Sequence, residues 1–221
     1  MRTLHAFAAS VAVTLLASAA GAPAHAQGAP PIARADAAAL VGWLAASSGS
    51  AGPHRGDDWN NNFFGGASVG WYWTDHLKTE VDSGAGTEAT AYRVVPRTID
   101  GRPTYESVQT TVTRRVLGIG QQYQFFRNAW FHPHVAAGVT WSWDRRTDYF
   151  QPLVVFDDLA GRVVEEARTE GPRTVLTLRP YAAAGFKAYI TRRGFFRTDL
   201  RVAFRGGIDE SLVRLGFGVD F

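Results

Sequence analysis

The sequence predicts an all-β fold: a closed, antiparallel, up-and-down transmembrane β-barrel of eight strands. Three observations predict it. Apolar and polar side chains alternate strictly, with period two, in well-separated segments. Aromatic residues gather at the ends of those segments. The connections between segments alternate between short turns and longer stretches.

The first segment, Ala39 to Ser47 around Val41-Gly42-Trp43-Leu44, carries the weakest pattern, and its Ala-rich start fits a helix as well as a strand. In the second, Ala67, Val69, Trp71 and Trp73 alternate with Gly66, Ser68, Gly70 and Tyr72. After the turn Thr74-Asp75-His76, Leu77, Thr79 and Val81 oppose Lys78, Glu80 and Asp82. The fourth places Leu117, Ile119, Tyr123 and Phe125 against Gly118, Gly120, Gln122 and Gln124. Its turn is Phe126-Arg127-Asn128-Ala129. In the fifth, Val135, Ala137, Val139, Trp141 and Trp143 alternate with His134, Ala136, Gly138, Thr140, Ser142 and Asp144.

The sixth sets Leu176, Leu178, Ala182, Ala184, Phe186 and Ala188 against Thr177, Arg179, Tyr181, Gly185, Lys187 and Tyr189, and turns at Thr191-Arg192-Arg193-Gly194. The seventh opposes Thr198, Leu200, Val202 and Phe204 to Arg197, Asp199, Arg201, Ala203 and Arg205. The eighth is the clearest: Val213, Leu215, Phe217, Val219 and Phe221 are apolar, and Arg214, Gly216, Gly218 and Asp220 lie between them. A helix cannot produce that order, because its apolar positions recur at three and four. Eight strands suit a sheet that must close in lipid, where an open edge leaves backbone groups unpaired.

Short turns near Asp75, Asn128 and Arg192 alternate with longer connections at 51–62, roughly 85–107 and roughly 152–174. The fourth external connection, near Gly206, is short as well. An even strand count puts both ends of the barrel on the short-turn side. Trp71, Trp73 and Trp130, with Phe125, Phe131, Tyr189, Phe195 and Phe196, mark the short-turn interface. Trp141 and Trp143, with Tyr149 and Phe204, mark the other. Packed in one soluble core, these aromatics would leave the intervening charges without a place.

Residues 1–26 read as a secretory leader: Arg2, an uncharged run from Ala6 to Ala20, then Ala24-His25-Ala26 before Gln27. Residues 27–221 then form one domain. No other run is long and apolar enough for a membrane-spanning helix. The sequence has no cysteine, so an exported domain must be held by backbone pairing and packing. Arg2 is one of 23 basic residues, which leaves 22 against 20 acids, a balance that gives no argument for nucleic acid.

The lumen face is predicted to hold Lys78, Glu80, Asp82, Arg114, Arg179, Lys187, Arg197, Asp199, Arg201, Arg205, Arg214 and Asp220. An eight-stranded barrel is only just wide enough for its side chains. These charges therefore read as a paired plug, with a narrow, anion-favouring pore as the alternative.

Several features resemble the small outer-membrane barrels of the OmpA/OmpX type, over roughly Leu40 to Phe221. They are the terminal strand ending on Phe221, the glycine-rich Gly65-Gly66-Ala67-Ser68-Val69-Gly70, and two Pro-x-x-x-x-Gly strands, His132–Gly138 and Arg179–Gly185. The resemblance implies a Gram-negative outer membrane and contact with its lipid. It also implies that Phe221 is the signal read by the barrel-assembly machinery. It implies no particular activity, because that family spans pores, adhesins and tethers. With no peptidoglycan-binding domain after Phe221, a tether is not expected.

No catalytic, cofactor-binding or metal site is predicted. His132 and His134 share a strand face but lack a third ligand in the motif. His54, Asp57 and Asp58 lie together in the first long connection, where barrel hydrolases place such groups, but they read as a solvated loop. Arg55-Gly56-Asp57 is a weak adhesion-type tripeptide. Leu153-Val154-Val155-Phe156 with Val163 and Val164 suggests a hairpin rising above the membrane. The functional expectation is a structural or surface-interaction role through the external loops, where an extracellular ligand would bind. The alternatives are a narrow passive pore and a lipid- or peptide-hydrolysing barrel.

Overall fold

The computed structural model describes residues 34–47, 59–99, 101–126, 130–157 and 160–221. The expected leader, and His54, Arg55, Asp57 and Asp58, lie outside the described residues. The strands are β1 (Ala35–Ser47), β2 (Trp59–Tyr72), β3 (Leu77–Gly86), β4 (Ala89–Ile99), β5 (Arg102–Gln124), β6 (Phe131–Phe150), β7 (Leu153–Asp157), β8 (Ala160–Glu165), β9 (Arg168–Tyr189), β10 (Gly194–Phe204) and β11 (Ile208–Asp220).

Eight of them form a ring, in the order β3-β2-β1-β11-β10-β9-β6-β5, which a direct β3–β5 pairing closes. Every pairing is antiparallel. Closure leaves no strand edge facing lipid around the ring, as an apolar solvent requires. The two ends of the ring meet where Ala35 and Phe221 exchange backbone hydrogen bonds of 3.0 Å each. All eight predicted strands are ring members. The first begins earlier than expected and is a strand throughout, pairing from Asp36↔Asp220 to Ala46↔Glu210 with β11. Pairing on both sides overrides the helical preference of its alanines.

Two connections expected as loops are largely sheet. β3 pairs with β5 from Leu77↔Tyr123 to Ala85↔Arg115, and β4 takes over from Ala89↔Val112 to Ile99↔Arg102. A one-residue change of register separates them, so β4 carries the third ring strand onward beyond the ring. The two arms meet at Gly101, whose φ of +74° suits a tight hairpin turn. The β7–β8 hairpin forms where it was expected, paired from Leu153↔Glu165 to Asp157↔Ala160. The part of β5 beyond Arg115 reaches roughly 40 Å along the strand. Its β-branched and aromatic residues favour strand as strongly as those in the membrane do, but no lipid enforces a clean apolar face.

The projecting sheet has a small core of its own. Ala89, Val108, Val112, Phe150 and Leu153 are buried above the ring, and the Arg168 guanidinium sits 4.0 Å from the Phe150 ring centroid.

Inside the ring, large rings seat on glycines of neighbouring strands. A Cβ on Gly84 would stand 2.2 Å from the Phe64 ring, and one on Gly218 would stand 2.3 Å from Phe195. Gly84→Val is therefore expected to lower unfolding free energy by about 1–3 kcal/mol through overpacking. Gly65→Ala, where an added Cβ meets nothing within 4 Å, should leave it nearly unchanged. Urea unfolding in lipid vesicles measures both.

Candidate functional site

The alternation read in the sequence sorts side chains between lipid and lumen. Val69, Trp71, Trp73, Val81, Ile119, Val135, Leu178, Leu215, Phe217 and Val219 are exposed outward. Of the predicted girdle, Trp143 is also exposed outward, and Trp130 and Trp141 are half-buried at the rims. Phe195 departs from the prediction. It is buried in the lumen with Ala38 and Leu40, because the parity of β10 places it on the same face as Arg197 and Asp199.

Lys78, Glu80, Asp82, Arg114, Arg179, Lys187, Arg197, Asp199, Arg201, Arg214 and Asp220 are all buried in the lumen. Arg205 is not. It is exposed in the turn after β10, where its N–H donates to Gly207 O at 3.0 Å and Gly206 has φ +74°. The two-residue alternation stops where the strand stops.

The buried charges form an unbroken alternating chain. Starting at the short-turn rim, Asp220 pairs with Lys187, which reaches Asp36 at 3.2 Å. Asp36 pairs with Lys78 at 3.0 Å, and Lys78 with Glu80 at 2.8 Å. Glu80 meets Arg197 at 2.7 Å, Arg197 meets Asp199 at 3.1 Å, and Asp199 meets Arg214 at 2.7 Å. Arg214 reaches Asp82 at 3.2 Å, and Asp82 also holds Arg201. Five cations face five carboxylates, so this part of the lumen is neutral.

Aromatic rings fill the space beside the chain. Lys187 Nζ lies 3.8 Å from the Phe195 ring centroid and Arg201 lies 4.0 Å from that of Tyr181. Tyr72 OH donates to Asp36 at 2.7 Å. A cavity of about 10 Å³ bordered by Gln122, His134, Tyr181, Arg197 and Arg214 remains, close to the space one water needs.

An apolar layer follows. Leu44, Phe64, Val116 and Leu212 cluster, each almost fully buried. Val116 lies one inward step from Arg114, and Leu212 lies between Arg214 and Glu210. Beyond this layer Arg114 binds Asp144 at 2.6 Å and Glu210 at 2.8 Å, and Arg179 pairs with Asp209. Higher still, Arg168 bridges Glu106 and Glu165 at 2.8 Å each, and Arg97 joins the same two acids at 3.6 and 3.1 Å. Arg173 holds Asp148 at 2.9 Å.

Asp36, Asp144, Asp209, Glu210 and Tyr72 are network members that the predicted set omits. Asp36 and Glu210 have the inward parity of their strands, so following the alternation to the strand ends would have found them. His134 is buried in the lumen, and His132 sits edge-on to Tyr189 at 5.3 Å. Among the described residues no group of three His, Cys, Asp or Glu is placed to hold a metal.

A family model described as outer membrane protein beta-barrel domain matches residues 12–221. Among solved structures, the chain is similar to the N-terminal beta-barrel domain of Pseudomonas aeruginosa OprF. The two share 14% identity and a TM-score of 0.50, over 86% of this chain and 98% of that one. It is also similar to outer membrane protein OprG from the same organism, with 11% identity and a TM-score of 0.50, over 88% of this chain and 99% of that one. At these identities the likeness is one of fold. No curated protein matches.

Removing one member of the buried chain takes a counter-charge from each of its partners. Asp199→Ala should cost about 3–5 kcal/mol, since Arg197 and Arg214 each lose a carboxylate while buried. Replacing Asp82 and Arg201 together by Leu and Met should cost less than Asp82→Ala alone. Unfolding titrations of the three variants in vesicles check the order.

Proposed function

Since the chain belongs to the outer membrane protein beta-barrel domain family, we propose that its barrel is a closed anchor that presents the projecting β4–β5–β6–β9 sheet and the β7–β8 hairpin as an interaction surface outside the cell. The protein resides in the outer membrane. The observation that carries the reading is the layered lumen: a neutral ion-pair chain, the apolar layer of Leu44, Phe64, Val116 and Leu212, and a second group of ion pairs above it. A permeating ion would have to part paired charges and then cross a ring of hydrocarbon.

The projecting sheet supports the second half of the proposal. A barrel needs only about 9–11 residues per strand to cross the bilayer. β5, β6 and β9 run to 23, 20 and 22 residues, and ion pairs and a buried core of its own brace the excess. Extra structure on one rim alone is what a surface for a ligand needs, and a passive pore does not require it. The outer face of this sheet carries Tyr92, Val94, Tyr105 and Tyr149, all exposed. Tyrosines of this kind bring contact area at low entropic cost. At the other rim we assign β11 and the exposed Phe221 that directly follows it to recognition by the barrel-assembly machinery.

In a planar bilayer, the folded chain from Gln27 onward is expected to give no stable conductance steps. Ohmic steps that change when Arg201 becomes Ser would make the lumen a pore and overturn the reading.

A further inference from the structure

The outward faces of β5 and β6 can be followed from one rim to the other. At the short-turn rim they carry Phe125, Tyr123 and Phe131, and across the bilayer Ile119, Leu117, Val135, Ala137, Val139, Trp141 and Trp143. From Phe131 to Trp143 a tilted strand covers roughly 30 Å, the thickness of the hydrocarbon. The next outward residue on each strand is an arginine: Arg115, opposite Trp143, and Arg145, opposite Thr113.

Both belong to Arg-Arg pairs, 114–115 and 145–146, that divide between the two faces of the sheet. The inward members are neutralised: Arg114 by Asp144 and Glu210, Arg146 by Asp144 at 3.5 Å. The outward members are exposed and, among the described residues, no carboxylate engages either of them. Their remaining register neighbours, Ala85 for Arg115 and Thr174 for Arg145, are uncharged. Arg115 and Arg145 are diagonal neighbours across the pair of strands, about 7–8 Å apart, within reach of one shared anion. Paired guanidinium forks at this spacing suit a phosphate. Further from the membrane on the same face, Tyr92 and Tyr149 flank Gln109 across three strands, 66% and 40% exposed. Rings so placed can stack on sugar.

We propose that Arg115 and Arg145 form a cradle for a phosphate of an outer-leaflet glycolipid, whose saccharide runs up toward Tyr92 and Tyr149. The proposal rests on the extended rim being the external one, and it does not depend on whether the lumen conducts. Anionic lipid held at the foot of the projecting sheet would fix how far that sheet stands from the membrane.

The test is retention of lipid A by the folded protein in phosphatidylcholine vesicles, followed by native mass spectrometry after extraction into detergent. The wild-type protein is expected to retain diphosphorylated lipid A and to lose the dephosphorylated form. R115S/R145S should retain about tenfold less, R115K/R145K should retain an intermediate amount, and R205S should match wild type. Equal retention by wild type and R115S/R145S overturns the proposal, as does equal retention of dephosphorylated lipid A. If inorganic phosphate competes the lipid off at equimolar concentration, the site is one for free phosphate and the glycolipid assignment fails.

Discussion

Hydrocarbon offers a backbone amide nothing to bind, and the closed ring of this protein follows from that. Each N–H and C=O at membrane depth needs a partner strand, so the sheet must meet itself, as it does between β3 and β5. Closing a ring with eight strands leaves an interior that side chains just fill. The outward faces must be apolar. With every second residue outward, the inward residues are free to be polar, and here charged side chains stand among inward glycines, alanines and neutral polar residues. The lumen is thus a narrow space holding buried charge, and the alternating chain from Asp220 to Arg201 is how that burial is made tolerable.

Such a chain is not the most stable filling. Well-packed apolar side chains in place of buried ion pairs are often neutral or stabilising. An apolar lumen would, however, make each strand a continuous hydrophobic run, and β9 and β6 would then approach the length and hydropathy of a membrane-spanning helix. Such a chain is prone to insert in the first membrane it meets. Charged, polar or glycine residues at alternate positions keep the strands polar enough to travel, and the charges become buried only when the ring closes. The mutual pairing also fixes register. A one-residue slip of β10 would send Arg197, Asp199 and Arg201 to lipid together, taking one partner each from Glu80, Arg214 and Asp82.

The ring was legible in the sequence because the two-sided environment writes a period of two into every member. The same rule misled where the environment changes. Arg205 continues the pattern of β10 on paper, yet the strand has already ended in the turn at Gly206. Phe195 looks like an interface aromatic by its neighbours, but parity takes it inward to Lys187. Asp36 escaped because the alanines around it blur the alternation. β4 and the outer half of β5 were read as loop because no lipid purifies their faces: Arg93 and Arg97 point inward to Asp148, Glu106 and Glu165, while outward positions hold Thr, Tyr and Val. Which charges pair was not legible at all. Arg114 and Glu210 are 96 residues apart, and only the closed ring makes them neighbours.

The two rims answer different demands. At one, turns are as short as hydrogen bonding permits: Thr74 and Thr191 cap their own turns through their hydroxyls. At the other, β10 and β11 turn at once at Gly206, while β5, β6 and β9 continue far past the bilayer. That lopsided height is costly to maintain in water unless the projecting sheet holds itself together, because an isolated hairpin is marginal there. The ion pairs of Arg168, Arg97 and Arg173 and the core around Val108 and Phe150 provide that support. They are distinct from the pairs that fill the ring and lie beyond its apolar layer. The projecting sheet can therefore vary in sequence without disturbing the closure on which the membrane portion depends.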